Sequence, residues 1–215
     1  MKNKETILEL RGITVSYGDH TVISNFSMQL KRGELVAVTG VSGSGKSSLI
    51  RALLGFVPIV SGEILLNGTS LRTTEVRRHT AYLPQDLSFP SEWVSEVLRM
   101  PFSFRNNKDI KVTDEQWRDN FEKLGLDSSI IKKRLNEISG GQRQRMMLAI
   151  SSLLDKEIVI LDEPTSALDA ASVKLVTQYI KEMAMRGKSV ISVTHDMDFA
   201  AECDRVIEIK PFNAY

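Results

Sequence analysis

The chain is punctuated by short runs dominated by apolar and β-branched residues: ILEL (7–10), LVAVT (35–39), EILL (63–66), AYL (81–83), EIVIL (157–161), SVISV (189–193) and RVIEI (205–209). Each has the length of a strand and is too short for a helix. The runs at 35, 157 and 189 are nearly all apolar, the pattern of central strands covered on both faces. Helical periodicity lies between the runs. Ser172 to Arg186 puts Val176, Ile180 and Met183 on one stripe, and Gly187 follows as a stop signal. This alternation predicts an α/β core with a mostly parallel sheet. Up to about residue 33 the pattern differs: two strand-like runs flank YGDH, which predicts an antiparallel hairpin region.

The stretch 86–138 is more polar, carries both tryptophans and has no strong strand. Thr113 and Gln116 have the spacing of a capping box. Trp117, Phe121 and Leu124 then form an i, i+4, i+7 stripe. We read this part as a helical insert, spanning about 86–155, between two strands of one domain that covers 1–215.

Composition narrows the classes. The 215 residues are 42% hydrophobic and 26% charged, an ordinary globular balance with material for a sizeable core. With 28 basic and 27 acidic residues the net charge is +1, which argues against a dedicated nucleic-acid binder. The local basic cluster IIKKR (130–134) reads as a solvated helix face. The one cysteine, Cys203, permits no disulfide within the chain and fits a reducing compartment. No run approaches the ~20 apolar residues of a membrane span, and the N-terminus lacks a signal-peptide pattern. Work at a membrane would then need spans from another chain.

Several segments carry chemistry. GVSGSGKS, from Gly40 through Val41, Ser42, Gly43, Ser44, Gly45 and Lys46 to Ser47, matches G-x-x-x-x-G-K-[ST]. It follows an apolar run and leads into a helical one at Ser48. Such a loop turns backbone N–H groups toward phosphate oxygens; Lys46 can reach the β and γ phosphates and Ser47 can ligate Mg²⁺. EIVILDEP ends an apolar strand on two carboxylates, where α/β sheets bind ligands. Asp162 is expected to hold Mg²⁺, through water, and Glu163 to orient or polarise an attacking water. His195 also ends an apolar run and can hold Glu163 and water in register or donate to a γ-phosphate. Gln85 follows AYL and can join the Mg²⁺ shell. Tyr17 offers a ring for adenine stacking. Finally, NEISGGQRQRM (136–146) places Ser139, Gly140, Gly141 and Gln142 at what reads as a second helix N-terminus, another anion site.

Taken in order, Tyr17, GVSGSGKS, YLPQD, ISGGQRQR, IVILDEP, SALD and VTHD resemble the ATP-binding subunit of an ABC transporter over about residues 7 to 210. SGGQ ahead of the acidic strand is the specific part. Ile138 stands where the family usually has leucine, and both are apolar. The resemblance implies a P-loop NTPase core, ATP and Mg²⁺ as cofactors, and hydrolysis at Glu163, His195 and Lys46. It implies an ATP-dependent head-to-tail homodimer in which Ser139, Gly140, Gly141, Gln142 and Asp169 of SALD complete the partner's site. It also implies a separate transmembrane permease, with the chain held peripherally at the cytoplasmic face of the cell membrane. A cassette that regulates a membrane complex without conventional transport stays open, as does a soluble ABC-type ATPase, although Gln85 to Ser139 is too short for a long coiled coil. VLRMPFSFRNN (97–107) is faintly similar to iron-export-type small cassettes.

Overall fold

The computed structural model describes residues 5–89 and 91–212. Two sheets divide the strands. In the first, β1 (Thr6–Tyr17) and β2 (His20–Lys31) form the expected antiparallel hairpin around the Gly18-Asp19 turn, with Tyr17 opposite His20. β1 buries Ile7, Leu8, Leu10, Ile13 and Val15, mostly alternate residues, as a strand covered on one face does. The antiparallel region extends beyond the predicted hairpin. After β3 (Leu35–Thr39) and α1 (Lys46–Leu53), β4 (Ile59–Leu66) returns to pair with the other edge of β1, and β5 (Thr69–Ser70) closes the order β2-β1-β4-β5.

The second sheet is parallel. It contains β3, then β6 (Thr80–Leu83) after the short helix α2 (Thr73–Val76), then β7 (Ile158–Asp162), β8 (Ser189–Val193) and β9 (Arg205–Glu208). Their spatial order is β6-β7-β8-β3-β9, every pairing parallel. All five residues of β3, β7 and β8 are buried, and these are the three interior strands. Their nearly all-apolar pattern thus has its cause in cover on both faces.

Between β6 and β7 run α3 (Val94–Ser103), α4 (Asp114–Lys123) and α5 (Gly140–Leu153). Thr113 caps α4 in a reciprocal box with Gln116, and Phe121 and Leu124 are fully buried behind it. Trp117 packs edge-on against Phe102 and Phe121. One apolar cluster contains Phe121 and Leu124 together with Leu161 of β7 and Val190 of β8. The helices of the insert therefore share their core with the parallel sheet. α6 (Ala170–Met185) buries Val176, Ile180 and Met183, and the Tyr179 hydroxyl bonds Asn120 of α4. α6 stops at Gly187, whose φ of +100° permits paired bonds from Gly187 and Lys188 N–H back to Ala184 and Met183 carbonyls. α7 (Met197–Ala201) starts on the Asp196 side chain. Among the described residues no helix is long and apolar enough to cross a membrane.

Candidate nucleotide site

β6, β7, β8 and β3 are adjacent and parallel, so their carboxyl ends open at one rim. Each delivers a residue singled out in the sequence: Gln85 beyond β6, Asp162 at the end of β7, His195 beyond β8, and the Gly40–Ser47 loop after β3. The rim encloses a cleft of about 380 Å³ lined by Ser42 through Ser48, Gln85, Asp162, Glu163 and His195, with Val22 and Val193. Ser42 and His195, 153 positions apart in sequence, thus meet because the strands are neighbours, the arrangement by which open α/β sheets bind ligands.

The loop is shaped by backbone rather than side chains. Gly40 has φ +150°, and a Cβ there would lie 2.4 Å from the Ile209 carbonyl oxygen. Gly45 has φ +96° and its Cβ would strike Ile23 at 2.8 Å. Only glycine fits both positions. α1 opens on Gly45 without a side-chain cap, which leaves its first-turn N–H groups for a ligand. Lys46 Nζ lies across the loop, donating to the Gly40 and Val41 carbonyls at 2.7 and 3.1 Å. Ser44 Oγ is buried with no partner among the described residues. Tyr17 lies outside the cleft lining, but its hydroxyl donates to Ser48 Oγ at 3.3 Å, so the ring stands beside the start of α1.

The two carboxylates have different environments. Asp162 is buried; its Oδ2 accepts from the Tyr82 hydroxyl at 3.5 Å, while Oδ1 has no partner among the described residues. Burial, and then the charge of Glu163, raise the Asp162 carboxyl above its ordinary value. Burial, reinforced by Asp162, raises the Tyr82 phenol to about 12, so it remains a donor. A half-satisfied buried carboxylate facing a cleft is the donor set a hard divalent cation requires, so these residues fit Mg²⁺.

Glu163 is held from several directions. Its Oε1 lies 2.8 Å from His195 Nδ1, and its Oε2 accepts from Thr194 Oγ1 at 3.5 Å and from the His195 N–H at 3.4 Å. Sequence reading found His195 and missed Thr194, Tyr82 and Gln144. Thr194 follows an apolar run and Tyr82 lies inside one, each as a single polar residue. Gln144 donates to the Glu163 carbonyl at 2.8 Å from inside α5; it lies within the ISGGQRQR stretch, but the spacing gave it no role of its own.

The other expected site residues are not in the cleft. Ser139 and Gln142 tie to each other at the start of α5: the Ser139 N–H donates to Gln142 Oε1 at 2.9 Å and the Gln142 N–H to Ser139 Oγ at 3.1 Å. S-G-G-Q is thus itself a capping box. A Cβ on Gly141 would press on Leu168 at 3.1 Å, whereas one on Gly140 would meet nothing within 4 Å. Asp169 caps α6 by accepting from the Ser172 N–H at 2.9 Å, which lowers its carboxyl below the ordinary value.

A glycine-rich loop, a buried carboxylate pair and a parallel sheet converging on one cleft define a P-loop nucleotide-binding domain. The chain belongs to the ABC transporter family, whose model matches residues 23–166. Over 212 residues it is 34% identical to the arginine transport ATP-binding protein ArtM of Bacillus subtilis (strain 168), covering 94% of this chain and 86% of that protein. It is 29% identical over 218 residues to the probable iron export ATP-binding protein FetA of Escherichia coli (strain K12), covering 98% of this chain and 94% of that one. The dimeric structure of MJ0796, a bacterial ABC transporter cassette, superposes with a TM-score of 0.81 at 26% identity, over 95% of this chain and 94% of that chain.

Proposed function

We propose that this chain is the ATP-hydrolysing subunit of an ABC transporter, a single cassette domain over 1–215 with a helical insert at about 86–155, working with a separate membrane permease. The observation that carries this reading is the division of the motifs: the P-loop, Gln85, Asp162, Glu163 and His195 line one cleft, while Ser139–Gln142 and Asp169 stand outside it. The P-loop N–H groups and Lys46 bind the phosphates, Lys46 exchanging neutral carbonyls for charged oxygens. Tyr17 stacks the base. Ser47, Gln85 and, through water, Asp162 would hold Mg²⁺, which would neutralise phosphate charge. Glu163, steadied by His195 and Thr194, orients the attacking water.

Ser139–Gln142 and Asp169 serve the nucleotide of a second copy packed head to tail. Gly140 supports this, because among the described residues nothing lies within 4 Å of a Cβ placed there. The permease anchors the dimer at the cytoplasmic face of the cell membrane. The relatives' names include arginine and manganese transport and iron export. The faint resemblance of the 97–107 segment to iron-export-type cassettes is matched by FetA, which aligns along nearly the whole of both chains, although ArtM is more identical to this chain.

Phosphate release with Mg-ATP tests the reading. Lys46→Ala should weaken both nucleotide binding and turnover, since it removes a cation from the phosphates. Glu163→Gln should bind ATP and retain it, with turnover reduced by about a hundredfold or more. Wild-type turnover in Glu163→Gln would overturn the assignment of Glu163.

A further inference from the structure

Glu163 has φ +52°, a left-handed conformation that few non-glycine residues adopt and that persists only where the surroundings impose it. Its backbone is fixed on three sides. The N–H donates to the Val193 carbonyl at the end of β8, at 2.9 Å. The carbonyl accepts from Ser166 of SALD, through Oγ at 3.1 Å and N–H at 3.3 Å. The third tie comes from Gln144 Nε2, which donates to the same carbonyl at 2.8 Å. Gln144 is 5% exposed and sits in α5 among Met146, Leu148 and Ala149, which are fully buried or nearly so. A buried amide is costly unless it is paired. Here its donor is spent on the backbone carbonyl of Glu163, which Ser166 already satisfies. The Gln144 bond therefore adds a tie between two elements. α5 is also the helix whose exposed first residues are Ser139 and Gly140, so Gln144 joins the SGGQ end of α5 to the Glu163 turn within one chain.

We infer that Gln144 is a positioning residue for Glu163: its amide, reaching from the helix that bears SGGQ, fixes the left-handed turn that aims the carboxylate into the cleft. The inference rests on the reading of Glu163 as the residue that orients the attacking water. A displacement of about 1 Å in a group that must be aligned costs on the order of a hundredfold in rate. Without the amide, nucleotide contacts remain intact, because none of them involves Gln144.

Gln144→Met keeps the length of the side chain and removes the donor. Its kcat for Mg-ATP should fall roughly ten- to hundredfold, with KM within about twofold of wild type. In the Glu163→Gln background, adding Gln144→Met should leave ATP-driven dimerisation and the slow decay of trapped ATP unchanged, because no carboxylate is left to aim. Gln144→Leu also removes the donor without burying a charge and should lose kcat in the same way; it replaces the methionine variant if that one fails to fold. Wild-type kcat in Gln144→Met beside a slow Glu163→Gln overturns the inference and leaves the reading of Glu163 standing. A rise in KM matching the fall in kcat, or faster loss of trapped ATP in the double variant, would mean that Gln144 merely supports the fold, and also overturns it. Wild-type turnover in Glu163→Gln would instead remove the reading beneath it.

Discussion

His195 reaches Glu163 from the solvent side: its Nδ1 lies 2.8 Å from Glu163 Oε1, yet the histidine side chain is 70% exposed and the glutamate side chain 8%. The imidazole therefore closes the outer edge of a carboxylate whose inner oxygen is held by Thr194 Oγ1 and a backbone N–H. The donors differ in what a substitution can reach. The ring is lost in His195→Ala, whereas the His195 N–H and Thr194 survive.

Loss of the ring should accordingly cost less than loss of the carboxylate. His195→Ala is expected to lower kcat roughly ten- to hundredfold with KM little changed. Stability should stay within about 0.5 kcal/mol of wild type, because the side chain is mostly in solvent. Steady-state phosphate release and a thermal melt read both quantities. A loss equal to that of Glu163→Gln would assign the imidazole a direct part in the chemistry rather than the steadying of Glu163.

Asp162 makes the site unstable in a predictable direction. Burial, and then Glu163, raise its carboxyl above the ordinary value, so the folded chain holds that proton more tightly than the unfolded chain does. The stabilisation from protonated Asp162 is fully present below the ordinary carboxylate value and is lost as the pH rises through the raised, folded value. Near neutrality the ionised carboxylate is a net cost. Asp162→Asn should thus raise the melting temperature of the nucleotide-free protein in EDTA, by a few degrees for a chain of this size. The increment should shrink as the pH falls through the folded value and vanish below the ordinary one, while Mg²⁺-dependent turnover is lost. An increment that held constant across acid and neutral pH would detach it from the Asp162 proton.

Much of this site was legible because its parts are contiguous in sequence. Gly40 to Ser47 carries its own spacing, and Asp162 and Glu163 end a run whose wholly apolar character marks an interior strand. Pairing was less legible. EILL reads as a strand, but its place beside β1 is fixed by the register of Leu8 against Leu66 and Leu10 against Ile64, contacts between residues more than fifty positions apart. Single polar residues were the least legible of all. Thr194 and Gln144 act on Glu163 from different elements; both lie inside motif stretches, VTHD and ISGGQRQR, but spacing alone does not aim either side chain at Glu163. SGGQ lies between these cases. Its spacing marks a helix start, and the structure adds that Ser139 and Gln142 already serve each other there.

That mutual service bears on the two-chain mechanism. If SGGQ caps a nucleotide held by a second copy, Glu163→Gln should be mainly monomeric without nucleotide and dimeric with ATP, because charge-assisted contacts to the γ-phosphate join the copies and strengthen once water is excluded. ADP lacks that phosphate and should dimerise the protein poorly. Ser139→Arg in the same background should block the joint by bulk while leaving the P-loop untouched. It also removes the cap on Gln142, a loss of about 1 kcal/mol. Ser139→Ala provides the control, since it loses the same cap without filling the space. The arginine variant is expected to bind ATP as a monomer and form no ATP-driven dimer; the alanine variant should melt lower by a similar amount yet dimerise more readily than the arginine variant. Light scattering after size exclusion, carried to high protein concentration, together with nucleotide titration, measures both properties. Weakened ATP binding by the Ser139→Arg monomer, with dimerisation intact, would place the loop on its own chain's phosphate, and the head-to-tail arrangement would have to be abandoned.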